Sequence, residues 1–363
     1  MTRALDRANI QVGDSPLSHR NMIINGAMLV AQRGTSAVTA NDSYPVDRFL
    51  MLNNSNGTFS AQQVAEAPSG FKNSLKVTIT GADTDLSTTQ RLLVSYYIEG
   101  QDFISPAFGT SSAKSITLSF QVRSSLTGTF SGSLQNDDQD RSFPFEYTIS
   151  SANTWESKSI TISGETSGTW LTTNGVGARL RFSLGEGTNQ QGTANTWSNA
   201  NYFGTSSGTS LIGTNGATWQ ITGVQLELGS VATPFEHRSY GEEFNKCTRY
   251  FQHFGPSADS GVNYWGAGQW SSSTIAHIIL NTLGPMRADP TASKGTVSYF
   301  RMGNAAMSGV QPLSDMTFLV GGTSVSCKMR LYCTSSSGSA GNGTVLLSYN
   351  GSNVGTIDLD SEL

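Results

Sequence analysis

Six aromatic residues, Trp170, Trp197, Tyr202, Tyr264, Trp265 and Trp270, lie in or beside turn segments rich in Gly, Asn, Ser and Thr. A flat ring in such a setting can stack on the face of a sugar while neighbouring amides and hydroxyls bond its hydroxyl groups. The same rings can instead plug the ends of a β-sandwich, so sugar contact is an expectation for the set rather than for any one member. Trp155 and Trp219 continue strand-like runs and are expected in the core. The acidic turn Asn136-Asp137-Asp138-Gln139-Asp140 offers hard oxygen ligands, which makes Asp137, Asp138 and Asp140 candidates for a structural calcium site. It lacks the glycine and distal glutamate of an EF-hand loop, and a solvated hairpin tip is the competing reading.

Catalytic chemistry finds little footing. A glycosidase needs two carboxyl groups held across a sugar, and Asp137, Asp140, Glu165 and Glu186 offer no spacing that singles out a pair. Gly204-Thr-Ser-Ser-Gly208 fits Gly-x-Ser-x-Gly, but no apolar strand precedes it and no helix follows, as a nucleophile elbow requires. His19, His237, His253 and His277 show no metal-ligand spacing, and there is no phosphate-binding loop. A non-enzymatic protein without a cofactor, calcium apart, is expected.

The elements that must position these residues are strands. Apolar residues alternate at Leu75-Val77-Ile79, Ile116-Leu118-Phe120-Val122, Phe143-Phe145-Tyr147-Ile149, Ile160-Ile162 and Leu180-Phe182-Leu184, each run bounded by turn residues. A further strand runs from Ile221 to Leu228, with a phase slip at Gly223 that predicts a bulge. Two packed antiparallel sheets are the natural way to bury such strands. The region from Gly185 to Gly216 reads as a long polar loop carrying Trp197, Tyr202 and Phe203, of a length that is usually functional. Ser239 followed by Glu242 predicts a capped helix, with acidic residues in its first turn and Lys246 and Arg249 in its last. Strands near 274–280, 316–320, 327–333, 344–349 and 354–359 then form a second β region. The expected architecture is all-β: a leader at 1–20, an antiparallel jelly-roll β-sandwich at 21–238, a connecting helix at 239–252 and a smaller β domain at 253–363.

Composition agrees with many polar turns. Only 13% of the 363 residues are charged and 39 are glycine, against roughly a quarter charged in ordinary globular proteins. A net charge of -4 without a basic block argues against nucleic-acid binding. The apolar stretch Met22 to Val30 is short and broken by Asn25 and Gly26, so neither a membrane span nor a signal peptide is expected, and synthesis in a cytoplasm is. Three cysteines give no disulfide framework. Cys327 and Cys333 on one strand face would be roughly 20 Å apart, and buried free thiols are expected.

The most specific string is Trp219-Gln-Ile-Thr-Gly-Val-Gln-Leu-Glu227, followed by Ala232-Thr-Pro-Phe-Glu236 and the Tyr240-Gly-Glu-Glu243 helix with Cys247 and Arg249-Tyr250. With Asn21-Met-Ile-Ile-Asn-Gly-Ala-Met-Leu-Val-Ala-Gln-Arg-Gly-Thr-Ser36 and Ser150-Ser-Ala-Asn-Thr-Trp-Glu156, it resembles a module of virion proteins of tailed bacteriophages, tail-fibre-like proteins of marine phages especially. The resemblance covers about residues 21–251. It implies a virion structural role and a carbohydrate-module-like jelly roll, and it brings no enzymatic motif. On that basis residues 1–20 are expected to dock the chain on other virion proteins, the β domains to bind a host-surface glycan, and the assembly to be a homotrimer on the virion. A capsid or neck decoration (head-fibre) protein, or a glycan depolymerase, are the rival expectations.

Overall fold

The structure, a computed structural model, describes residues 19–255, 262–303, 310–319, 328–335, 338–349 and 355–363. Most of the expected leader, and Cys327, lie outside them. Two compact units divide the chain at 243/244.

Among its described residues the first unit holds eleven strands: β1 (Ser43–Val46), β2 (Phe49–Asn53), β3 (Thr58–Val64), β4 (Ser74–Gly81), β5 (Arg91–Glu99), β6 (Ile116–Ser124), β7 (Gly128–Gln135), β8 (Ser142–Ile149), β9 (Glu156–Ile162), β10 (Val176–Glu186) and β11 (Thr218–Leu228). They form two sheets, ordered β1-β2-β5-β10-β7-β8 and β3-β4-β11-β6-β9, and every pairing is antiparallel. Strands distant in sequence are neighbours within each sheet, and the two sheets share one apolar core, which makes this a jelly-roll β-sandwich.

Alternation explains the packing. Val94, Tyr96, Leu180, Phe182, Phe130 and Phe145 point inward from the six-stranded sheet, and Val77, Leu118, Phe120, Trp219, Ile221 and Leu226 from the five-stranded one. The bulge expected at Gly223 is present: the β11–β6 register shifts between Thr222 and Gln225, and Gly223 has φ 62°. Trp219 is fully buried as expected, whereas Trp155 is only half-buried, in the turn just before β9.

The N-terminal segment runs beside β11 and is bonded to it by Met22 N–H to Leu226 O (2.9 Å) and Val224 N–H to Gly26 O (2.9 Å). Asn21 fills the gap at the bulge: its Nδ2 donates to Val224 O (3.0 Å), and its Oδ1 accepts from the N–H groups of Ile23 (2.9 Å) and Leu226 (3.0 Å). Arg238, with 5% of its side chain exposed, closes the clasp. Its guanidinium donates to Asn21 O and Ile23 O and pairs with Glu236 and Glu243, both at 3.1 Å. A Cβ on Gly26 would stand 2.1 Å from Val224 O, so the segment can lie this close only with glycine there.

The helix, α1 (Tyr240–Cys247), begins where expected, with Ser239 Oγ accepting from Glu242 N–H (3.2 Å). It is shorter than the 239–252 expected from sequence. Thr248 Oγ1 turns back to Asn245 O (2.9 Å), and the chain is extended again by Phe251.

The second unit contains β12 (Phe251–Phe254), β13 (Val262–Trp270), β14 (Ile275–Asn281), β15 (Thr291–Lys294), β16 (Phe300–Gly303), β17 (Gln311–Pro312), β18 (Asp315–Leu319), β19 (Lys328–Thr334), β20 (Gly343–Tyr349) and β21 (Ile357–Asp360). They pair as a three-stranded sheet, β12-β21-β15, and a seven-stranded sheet, β17-β16-β20-β13-β14-β19-β18. Ile278, Phe300, Leu331, Leu346 and Leu359 belong to their common core. Cys247 and Cys333 are buried and form no disulfide among the described residues, and burial pushes the thiol of Cys333 up to about 12. No helix among the described residues is long and apolar enough to cross a membrane.

Candidate functional site

The outer face of the five-stranded sheet carries a cavity of about 440 Å³, within the span of small-molecule sites. Its floor comes from alternate positions of two neighbouring strands: Ser119 and Gln121 of β6 face Ser159 and Ser157 of β9 in register. Gln121 and Ser157 bond each other, amide N–H to Oγ at 2.7 Å and hydroxyl to Oε1 at 3.0 Å. The wall is aromatic. Phe71, Phe235 and His237 meet pairwise with ring centroids 4.9–5.2 Å apart, Phe71 and Phe235 half-buried and His237 exposed.

The bulge makes this wall possible. A Cβ on Gly223 would lie 2.6 Å from the Phe71 ring, so the glycine both turns the strand and leaves room for the ring to lie against it. Thr233 and Pro234 complete the rim, held by Glu227, whose carboxylate accepts from Thr233 N–H (2.8 Å) and Oγ1 (2.6 Å). Rings beside hydroxyls and a primary amide give the chemistry of sugar recognition: an apolar face to stack on and adaptable partners for hydroxyl groups.

The residues expected from sequence to bind glycan lie elsewhere, and several are interior. Trp170 is buried against Phe103 and Phe108, and its indole N–H donates to Ser167 O (3.0 Å). Trp197 packs on the same cluster and donates to Ser163 O (2.9 Å). Trp270 is buried in the core of the second unit, and Trp265 packs against Phe300 and donates to Ser348 Oγ (3.0 Å). Trp170 and Trp270 fill the packing, so the expectation that they present free faces is corrected for those two, while Trp197 and Trp265 are half-buried against the cores. Tyr202 is half-buried, and its ring closes on Gly192 and Pro144. Tyr264 alone of the six is strongly exposed, at 64%.

The acidic turn does not converge on a point. Asp137 pairs with Arg179, Asp140 accepts from Asn136 Nδ2 (2.6 Å), and Asp138 is exposed. Among the described residues no group of three His, Cys, Asp or Glu side chains could hold a metal. Of the other carboxylates considered, Glu165 is held by Arg141.

Glu186 is distinct. It is buried, takes the Ser183 hydroxyl, and lies beneath Gly204 and Gly208, where a Cβ would approach its Oε1 to 2.5 and 3.5 Å. The Gly-x-Ser-x-Gly match is therefore a turn whose glycines close over a carboxyl group. Burial pushes Glu186 up to about 7, only partly opposed by the Ser183 hydroxyl. Its folded value exceeds the ordinary one, so the native state holds the proton more tightly, and stability falls as pH rises from about 4.5 to about 7. Glu186→Gln should raise stability at pH 8 by on the order of 3 kcal/mol and change it little at pH 4, a difference that thermal unfolding at the two pH values would reveal.

Sequence reasoning missed Phe71, Phe235 and His237. The available signal was the apolar Phe235 just after Pro234, in a string otherwise polar; Phe71 joins it only through the fold. No protein-family model matches the sequence, and no curated protein is significantly similar to it. Among solved structures the chain is similar to the enzymatically active domain of tailspike protein 4 of bacteriophage CBA120, with 13% identity and a TM-score of 0.31, over 58% of this chain and 21% of that one. It is also similar to a CBM4 structure (14% identity, TM-score 0.31, 56% of this chain and 98% of that one). A family 11 carbohydrate-binding module of Clostridium thermocellum gives 12% identity and a TM-score of 0.27, over 56% of this chain and 99% of that one. Likenesses this low carry no argument about function, which rests on the site itself.

Proposed function

We propose that the chain is a non-enzymatic virion protein of tail-fibre type that binds a host-surface glycan through the Phe71–Phe235–His237 pocket. The observation that carries the binding reading is the pairing of an aromatic wall with a floor of Ser119, Gln121, Ser157 and Ser159 in one cavity. The virion context, attachment through residues 1–20 and trimeric assembly come from the resemblance of residues 21–251. A sugar ring stacked on Phe235 would bond the floor hydroxyls without needing charge, which suits a chain this poor in charged residues.

Calorimetric titration of host-surface oligosaccharides tests it. Wild type should bind, and Phe235→Ala should bind about tenfold more weakly, roughly 1.4 kcal/mol, measured below the variant's melting temperature so that lost packing against Phe71 and His237 is not read as lost affinity. Equal affinity in the two proteins would remove the pocket from the reading. Failure of wild type to bind any glycan of the host surface would remove the glycan.

A further inference from the structure

The outer face of the six-stranded sheet presents an ordered grid of polar side chains. Register across β5, β10 and β7 places Tyr97, Arg179 and Gln135 in one row, Ser95, Arg181 and Ser133 in the next, and Leu93, Ser183 and Ser131 in the third. Alternate residues of a strand share a face, so these rows all point away from the sandwich core. The segment after β10 lies over them: Gln135 Nε2 donates to Asn201 Oδ1 (2.9 Å) and Tyr202 O (2.6 Å), and Phe203 covers the middle row.

Arg181 is the anomaly. It is 3% exposed, and no carboxylate pairs with it among the described residues. The guanidinium carbon lies 4.5 Å from the Phe203 ring centroid, and that of Arg91 lies 5.0 Å from the same ring. Its Nη2 donates to the neutral Gln139 Oε1 (3.0 Å), while its Nε has no partner among the described residues. In register on either side, Ser95 Oγ and Ser133 Oγ are also buried without partners among them, as is Ser131 Oγ in the next row. Burial, and then the charges of Arg179 and Arg91, push the guanidinium down to about 9, with Tyr97 opposing.

Buried charges are normally paired and buried hydroxyls bonded. The charged groups facing the grid are Arg91, Arg179 and Arg181 against Asp137, which is taken up by Arg179, Glu146, which stands in register with Ser131 and accepts from the Thr205 hydroxyl, and Glu186, which keeps its proton below about pH 7. Below that pH the cations outnumber the carboxylates, and Arg181 itself has none beside it. The approach lies along Tyr97, Arg179 and Gln139, all only half-buried, where Arg179 stacks over the Tyr97 ring at 4.6 Å.

We propose that the Arg181 row is an oxyanion site that takes the sulfate ester or carboxylate of an acidic glycan. The oxyanion displaces the Gln139 amide from the guanidinium at the Arg179–Gln139 edge of the grid, and the sugar that carries it lies beside the Tyr97–Arg179 stack. This site is on the opposite sheet from the Phe71 pocket and does not depend on that pocket binding sugar.

The test uses the full chain with dextran sulfate, unsubstituted dextran and inorganic sulfate as probes. Wild type should be retained on dextran sulfate and not on dextran, and inorganic sulfate should raise its melting temperature above that in chloride of equal ionic strength. Gln139→Glu supplies the missing carboxylate from within. It should raise the melting temperature without added anion, abolish the sulfate-dependent rise and weaken retention about tenfold or more. Gln139→Ala, which removes the competing amide, should strengthen retention. Retention unchanged in Gln139→Glu, or equal retention on dextran and dextran sulfate, would overturn the proposal. Protection by inorganic sulfate without retention on dextran sulfate would overturn its assignment to a glycan. Wild-type sugar binding that is lost in Phe235→Ala but kept in Gln139→Glu would leave the pocket reading standing while this one falls.

Discussion

Arg238→Ala should lower the unfolding free energy by about 3–5 kcal/mol, the range expected when one partner of a buried ionic network is removed. The side chain is 5% exposed and bridges two parts of the chain more than 200 residues apart, bonding Asn21 O and Ile23 O on one side and Glu236 and Glu243 on the other. Its loss leaves Glu243, 6% exposed at its side chain, with only the Asn25 N–H among these bonds, and leaves two backbone carbonyls short of a donor. Arg238→Lys keeps the charge but not the planar fork that reaches four acceptors, so it should lose much of the same energy. Urea unfolding followed by tryptophan fluorescence measures both. A loss for Arg238→Ala under about 1 kcal/mol, the worth of an exposed pair, would show that water satisfies these groups.

That clasp also accounts for what could be read in advance. Asn21, Asn25, Gly26, Gly223, Gln225, Glu227, Thr233, Glu236 and Glu243 lie within the strings singled out in the sequence, and in the fold they meet specific atoms rather than a generic apolar interior. Asn25, at φ 61°, bonds Val30 and Asp47 with its side-chain amide, and Gln225 Oε1 accepts from Glu236 N–H (2.8 Å). The strands with strict alternation, such as β6 and β8, were legible for the same reason of period. β7 was not, because Gly132 and several serines stand among its few apolar residues. β5 was not, because Leu92, Leu93 and Val94 run together and hide the alternation: Leu93 points into the polar grid beneath the covering segment. Both sites combine residues from separate strands and turns, and no local pattern marks the pairing of Phe71 with Phe235 or of Arg181 with Ser95 and Ser133. Trp170 and Trp270 were not legible as interior because polar turns flank them, while the rings turn inward and the Trp170 N–H finds a backbone carbonyl nearby.

Trp219→Ala should destabilise the first unit by about 3–5 kcal/mol, the cost of deleting a buried aromatic side chain and leaving a cavity. Trp219 is fully buried at the sandwich interface, packs against Phe182 of the opposite sheet at 5.7 Å, and donates its indole N–H to Tyr147 Oη (3.2 Å). Burial drives the Tyr147 phenol far up from its ordinary value, so that hydroxyl stays neutral, and it loses its donor when the indole goes. Trp219→Phe separates the two contributions: it keeps most of the packing and loses the hydrogen bond and part of the volume, so it should cost about 1–2 kcal/mol. β11 turns Trp219 to the core, while Gly223 of the same strand backs the Phe71 ring of the pocket on the outer face. The Phe variant should therefore bind glycan as wild type does below its melting temperature, since its change lies on the inner face alone. Weaker sugar binding by a folded Trp219→Phe protein would mean that the pocket is shaped by the core behind it rather than by the bulge and the rings that line it.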